Sequence, residues 1–150
     1  MLSPLFAACA SKKDYIVTGS IEGGVEGGIV YLSFVEKGSF VNIDSSVIKN
    51  GVFTFKGRQD TVVNCYVRSK EKVGNTNRKL YGDFFLENGE INIIITTKGS
   101  TVSGTPNNDA YQAIRNEMYE LQKNLASVPK EEQMKEFDKI FTGVMKNAAT

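Results

Sequence analysis

The chain has 150 residues, which is enough for one domain whose hydrophobic core needs neither disulfides nor metals. Its 18 basic and 17 acidic residues leave a net charge of +1 without the basic blocks that bind nucleic acid, so we expect no nucleic-acid partner. The sequence has no His and only two Cys, Cys9 and Cys65, which excludes Ser-His and Cys-His pairs, His-ligated zinc and CxxC redox pairs. Only carboxylate, Lys or Tyr chemistry remains after this exclusion, and we expect no metal, no cofactor and no catalytic residue.

The first 13 residues differ from the rest of the chain. An apolar stretch runs into Cys9 and is followed by polar residues 11–14. Small residues directly before a Cys resemble a bacterial lipobox, in which that Cys becomes the lipidated first residue, although Phe6 stands where a smaller aliphatic residue is usual. We interpret residues 1–13 as the remnant of a signal peptide, with Cys9 as the lipid attachment site. The alternative is a hydrophobic terminus with an incidental Cys, and the stretch is too short to span a bilayer.

From Asp14 onward apolar and polar residues alternate, and turn signals recur at regular intervals, which is typical of β-strands. Residues 15–21 and 29–35 are rich in β-branched and aromatic side chains, and the Gly-rich segment 22–28 between them predicts a hairpin. That segment lacks the lysine and the following helix of a phosphate-binding loop. Asn50-Gly51 predicts a tight turn between the next two strands.

The strand pattern continues to Gly104. Strands are predicted at residues 40–48, 52–56, 62–68, 80–86, 90–96 and 101–104. Period-two alternation predicts a core that includes Phe53, Phe55, Phe84, Ile91, Ile93 and Ile95. Seven or eight short strands at this spacing predict a mainly β fold, an antiparallel β-sandwich over residues 14–105 in which sequence neighbours mostly pair as hairpins.

The pattern changes to helical spacing at residue 106. Residues 105–109 supply capping side chains, and two apolar stripes follow, the first with Ile114, Met118, Leu121 and Leu125 and the second with Met134, Phe137, Phe141 and Val144. Pro129 suits the start of the second helix, and Glu131 and Glu132 suit its first turn. We expect a helical hairpin over residues 106–150, joined near 126–129. We interpret it as a marginal appendage to a sandwich that folds on its own, and as the start of a linker to a downstream domain.

Two groups of reactive side chains allow a functional and a structural interpretation. Asp83, Glu87 and Glu90 lie around the Asn88-Gly89 turn and are the residue types that hydrolyse glycosides. Acids flanking turns are usually solvated, and sugar sites are usually richer in Trp, which this chain lacks, so we favour the structural interpretation. Cys65 lies mid-strand among valines, where a buried inert thiol is favoured over a reactive one.

Four segments carry a resemblance to a known family, in the correct order and spacing. They are residues 15–21, residues 43–57, residues 85–91 and residues 102–108, which read YIVTGSI, IDSSVIKNGVFTFKG, FLENGEI and VSGTPNN. Together they resemble the amino-terminal domain, domain of unknown function number 4369, of thiol-disulfide interchange lipoproteins from the Bacteroidetes group. The resemblance covers roughly residues 15–121. It implies a lipid-anchored protein of the cell envelope that faces the periplasm or cell surface, in which a thioredoxin-like domain with a CxxC pair follows.

The sequence therefore predicts a non-catalytic accessory or binding module rather than an enzyme, because none of the matched positions is catalytic in that pattern. Its expected partners are the downstream thioredoxin-like domain or another envelope protein, and the membrane through a lipid on Cys9. The alternative is a free-standing lipoprotein that binds a peptide or a glycan. A Trp-Cys-x-x-Cys stretch encoded downstream of Thr150 favours the first function, and a stop codon favours the second.

Overall fold

The computed structural model describes residues 14–74 and 77–149, and these residues form eight strands followed by two helices. The strands are β1 (Tyr15–Ile21), β2 (Ile29–Glu36), β3 (Ser39–Val47), β4 (Phe53–Gly57), β5 (Val63–Ser69), β6 (Tyr81–Leu86), β7 (Gly89–Thr96) and β8 (Gly99–Ser103). The helices are α1 (Pro106–Leu125) and α2 (Lys130–Ala148). The predicted fold class, a mainly β sandwich followed by two helices, is confirmed.

The strands form two four-stranded sheets that pack face to face. Sheet A has the order β4-β1-β7-β8 and sheet B the order β3-β2-β5-β6. Neighbouring strands are antiparallel except β1 and β7, which run parallel from Tyr15 beside Gly89 to Ile21 beside Ile95. Since β6 and β8 are both end strands and contact one another, the two sheets share an open edge there.

The predicted pairing of sequence neighbours is wrong at four of the seven connections between the described strands, one of which joins β4 of sheet A to β5 of sheet B. The expected hairpin of β1 with β2 does not form, because the Gly-rich segment 22–28 carries the chain from sheet A to sheet B. Asn50 and Gly51 do form the predicted tight turn, with φ angles of 52° and 76°, yet β3 and β4 belong to different sheets. The turn at Asn88-Gly89 likewise joins β6 of sheet B to β7 of sheet A. Turn residues determine where the chain reverses, but not whether the two arms bond side by side or pack face to face.

The core lies between the sheets and contains every side chain that alternation predicted for it. Phe53, Phe55, Phe84, Ile91, Ile93 and Ile95 are each exposed by 1% or less. Fully burying one such side chain stabilises the fold by about 1.5–3 kcal/mol. Gly19 allows the sheet to pack this closely, because a Cβ there would lie 2.4 Å from the carbonyl oxygen of Ile93. A side chain at this position is excluded by lack of space, not by an unusual φ.

Helix α1 covers the open edge between β6 and β8. The side chain of Asn108, which is fully buried, accepts a hydrogen bond from the Phe85 amide and donates one to the Phe85 carbonyl oxygen, both at 2.8 Å. On β8, the Val102 amide donates to Oε1 of Gln112 at 2.9 Å. These side chains satisfy backbone groups that an uncovered edge strand would leave unpaired.

The apolar stripes predicted for the helices are only partly right. The hairpin itself is confirmed, with the connection at residues 126–129, and Leu121 is buried. Ile114, Met134 and Phe141 are instead exposed by 44%, 70% and 40%. The sandwich takes a polar face of α1 that begins at Asn108, because its edge strands need hydrogen-bond partners more than apolar contacts.

The first testable prediction concerns Asn108. Asn108→Ala leaves both backbone groups of Phe85 without their partner, and we expect it to lower the free energy of unfolding by about 3 kcal/mol, the usual scale for orphaned buried polar groups. Asn124→Ala, on the exposed part of the same helix, is the control and should be nearly neutral. Urea denaturation followed by circular dichroism measures both. Equal, small effects of the two substitutions contradict the edge-covering role of α1 and support the expectation that residues 14–105 fold without it.

Candidate functional site

The outer face of sheet B carries an exposed cluster of aromatic rings around one arginine. We call Phe40, Tyr66, Arg68 and Tyr81 the aromatic face. The rings of Phe40 and Tyr66 meet edge to face at 5.2 Å, and those of Tyr66 and Tyr81 lie 6.4 Å apart. Phe40 is 45% exposed and Tyr81 is 61% exposed. The register explains the cluster, since β5 places Tyr66 beside Ser33 of β2 and Arg68 beside Tyr81 of β6.

Arg68 is held in place by neutral partners. Its guanidinium carbon lies 4.1 Å from the centre of the Phe40 ring, which is a cation–π distance. Its Nε donates to Oγ of Ser33 at 3.2 Å and its Nη2 to Oδ1 of Asn42 at 2.8 Å. The hydroxyl of Ser33, which is buried, also donates to Oδ1 of Asn42. These hydrogen bonds fix the side chain without neutralising its charge, so the aromatic face presents a positive, pre-organised centre.

A second polar cluster joins β6 to α1. The Tyr111 hydroxyl donates a short hydrogen bond to Oδ2 of Asp83, and Nη1 of Arg115 lies 3.7 Å from Oδ1 of the same carboxylate. The Tyr111 ring meets Phe85 edge to face at 5.3 Å. Burial, followed by the hydrogen bond to Asp83 and the charge of that carboxylate, raises the pKa of Tyr111 to about 12, against the opposing effect of Arg115. Tyr111 therefore stays protonated at neutral pH and acts as a donor that fastens α1 to the sheet.

The carboxylates considered for glycoside chemistry have separate surroundings. Asp83 bonds to Tyr111 and Arg115, whereas Glu87 accepts hydrogen bonds from the backbone and side-chain nitrogens of Asn107 at 3.0 and 2.7 Å. Glu90 is exposed and lies in sheet A, while Asp83 lies in sheet B. Two of the three acids thus anchor the start of α1, which favours their structural interpretation.

Of the two cysteines, Cys65 lies among the described residues. Cys65 is fully buried, as predicted, and burial raises the pKa of its thiol to about 11. A thiol that stays protonated is a poor nucleophile, so its inertness is expected. Cys9 lies outside the described residues, and its lipidation stays a prediction.

Within residues 14–74 and 77–149 no group of three or more Cys, Asp or Glu side chains could hold a metal ion. The same part of the chain contains no helix with the length and apolarity that crossing a membrane requires. The aromatic face was not predicted from the sequence. The available signal was the outward position of Tyr66, Arg68 and Tyr81 within their strands, but the strand order that gathers them depends on distant parts of the chain.

Residues 15–111 match the sequence profile of a domain of unknown function, DUF4369. The chain belongs to the DUF4369 family. The matched range of this DUF4369 domain includes Asn108 and Tyr111, through which α1 packs on β6. No curated protein matches the chain. A solved structure of (S)-allantoin synthase is similar to it with a TM-score of 0.42 and 10% identity, over 64% of this chain and 45% of that one, so the chain spans less than half of that protein's length.

The second testable prediction is a pH effect at Tyr111 of the DUF4369 domain. Because the pKa of Tyr111 is raised from 10.0 to about 12 in the folded chain, its contribution to stability is complete below pH 10 and is lost as pH rises through 12. We expect the stability difference between the native chain and Tyr111→Phe to shrink across this range. Urea denaturation at several pH values measures this stability difference. Cys65 and Tyr15 also have raised pKa values, but both chains contain them, so their titration cancels in the difference. A difference that stays constant with pH contradicts the prediction.

Proposed function

We propose that this DUF4369 domain is a non-catalytic binding module of a cell-envelope lipoprotein, and that its aromatic face binds the thioredoxin-like domain of the same polypeptide. The observation that carries the proposal is the arginine fixed among exposed rings on the outer face of sheet B. Tyr and Arg are enriched among the residues that dominate protein–protein binding energies, and side chains that are already ordered lose little entropy on binding.

The charge of Arg68 favours a protein partner with a carboxylate at the centre of the contact. Its hydrogen bonds go to neutral oxygens, so its nearest partners leave the positive charge available. The rim is polar, with Asn42 exposed beside Phe40, as is usual around the apolar centre of an interface. Family resemblance supports the choice of partner, because a thioredoxin-like domain follows this domain in the resembled lipoproteins.

A free-standing lipoprotein that binds a glycan is the second candidate. The ring of Tyr81, which is 61% exposed, offers an apolar surface on which a sugar ring can stack. The two candidates differ in what the gene encodes downstream of Thr150, where the first requires a domain with a Trp-Cys-x-x-Cys stretch.

The third testable prediction addresses the protein partner. We expect the purified chain to bind the separately expressed thioredoxin-like domain, and Tyr81→Ala to weaken that binding about tenfold, on the scale of an interface hot spot. Tyr119→Ala is the matched control, because Tyr119 is 67% exposed on α1, away from the aromatic face. Isothermal titration calorimetry measures both affinities. The choice of partner is wrong if both variants bind the thioredoxin-like domain with the same affinity, or if the gene encodes no such domain. Glycan binding that requires Tyr81 then supports the second candidate, a free-standing glycan-binding lipoprotein.

The fourth testable prediction concerns the membrane anchor. We propose that Cys9 carries the lipid, as the small residues before it and the polar residues after it suggest. Expression of the full-length gene in a bacterial host with a labelled fatty acid should label the native protein but not Cys9→Ser. Cys65→Ser is the control and should keep the label. Equal labelling of the native protein and Cys9→Ser rejects the anchor.

A further inference from the structure

A polar pocket of about 290 Å³ opens at the covered edge of the sandwich, beside β6, the β7–β8 hairpin and α1. Four cationic side chains line it, and they come from three separate parts of the chain: Arg78, Lys79, Lys98 and Arg115. Asp83 is the acidic residue in the same lining. The lining residues therefore carry a net charge of +3, whereas the whole chain carries +1. This concentration of positive charge arises from the fold, since no basic block exists in the sequence.

The negative charge of Asp83 is already engaged. One carboxylate oxygen accepts a hydrogen bond from the hydroxyl of Tyr111, and the other forms an ion pair with Arg115. Nearby Glu22 keeps its negative charge, because the groups that donate to its Oε2 are the neutral backbone amide and hydroxyl of Thr97, at 2.8 and 3.1 Å. Lys79, Lys98 and Arg115 alone outnumber these two acids, so a local excess of positive charge remains.

Arg115 has a fixed position within this pocket. Its guanidinium lies 5.3 Å from the centre of the Tyr111 ring, 3.7 Å from Asp83 and 3.5 Å from Oγ of Ser100. A guanidinium has five N–H donors in a planar fork, and these contacts use only part of them. Lys79 and Lys98 are exposed at the mouth of the pocket and can move towards a ligand. Gly99 leaves open space on the hairpin, because a Cβ there would meet no atom within 4 Å.

We propose that this pocket binds a phosphate group, with Arg115 as the fixed donor, Lys79 and Lys98 as mobile cations and the Ser100 hydroxyl as a neutral partner. A phosphate monoester at neutral pH carries a charge of about −1.5 to −2 and three acceptor oxygens, which matches several converging cations better than a carboxylate does. Tyr81 of the aromatic face also lines this pocket, so the two surfaces adjoin. The cations of the pocket are not part of the aromatic face, and the phosphate proposal does not depend on the proposed protein partner. The phosphate belongs either to a soluble ligand or to the headgroup of a lipid.

The fifth testable prediction uses two double variants of the full chain with the same net charge. Lys79→Gln/Lys98→Gln removes the mobile cations, and Lys56→Gln/Lys135→Gln removes two exposed lysines elsewhere. We expect inorganic phosphate to shift the backbone amide NMR resonances of Gly99 and Ser100 in the native chain until the site is saturated. The pocket variant should bind phosphate at least about tenfold more weakly, because hydrogen bonds to charged groups contribute on that scale. The control variant should bind like the native chain, and sodium chloride at equal ionic strength should not reproduce the shifts.

A second arm distinguishes the two sources of phosphate. Native chain and both variants are sedimented with phosphatidylcholine vesicles that contain phosphatidic acid, whose headgroup is a phosphate monoester, and, separately, with vesicles of phosphatidylcholine alone. Binding to the phosphatidic acid vesicles that falls at least about tenfold in the pocket variant alone indicates a lipid headgroup. Binding of free phosphate without this vesicle effect indicates a soluble ligand. If the two double variants behave alike in both arms, the pocket is not a phosphate site, and this result leaves the proposed protein partner untouched.

Discussion

The hydrogen bonds between the side-chain amide of Asn108 and the backbone of Phe85 anchor α1 to β6, and the contacts of the later turns of the helix build on this anchor. A two-sheet sandwich has four end strands, and β6 and β8 lie together at one edge with unpaired backbone groups. By binding both backbone groups of Phe85, Asn108 places the first turn of α1 against that edge. One turn later Tyr111 reaches Asp83, and one further turn later Arg115 reaches the pocket. The pocket thus depends on a contact made by an uncharged, buried amide.

Local pattern predicted the strands and the core of this fold, but not the sheet in which each strand lies. Period-two alternation depends only on which side chains face inward, and for that reason Phe53, Phe55 and Ile93 were correctly placed. The Asn50-Gly51 turn was also predicted, whereas the transfer of β4 to sheet A was not. Whether a reversal stays within a sheet or crosses between sheets depends on contacts such as β1 with β7, whose residues are about seventy positions apart.

The same limit applies to the aromatic face and to the pocket. Phe40, Tyr66 and Tyr81 meet only because sheet B has the order β3-β2-β5-β6, and nothing within any one strand specifies that order. Arg115 was overlooked because the helix was analysed by its apolar stripe, on which Ile114 turned out to be exposed. An apolar stripe predicts the packed face only of a helix that packs through apolar side chains. A helix that covers strand edges packs through hydrogen-bonding side chains instead, and its polar face then carries the structural information.

The electrostatics of the described residues bear on the binding role that we propose. A Cys or Tyr side chain acts as a nucleophile most readily where its surroundings lower its pKa. The pKa values of Tyr15, Cys65 and Tyr111 are instead raised. Burial is the first cause in each case, so these groups stay neutral and serve packing. Arg68 on the aromatic face and the lysines of the pocket are cations with room for a ligand, and both attract negative charge. Recognition of an anionic partner is therefore what the two proposals have in common.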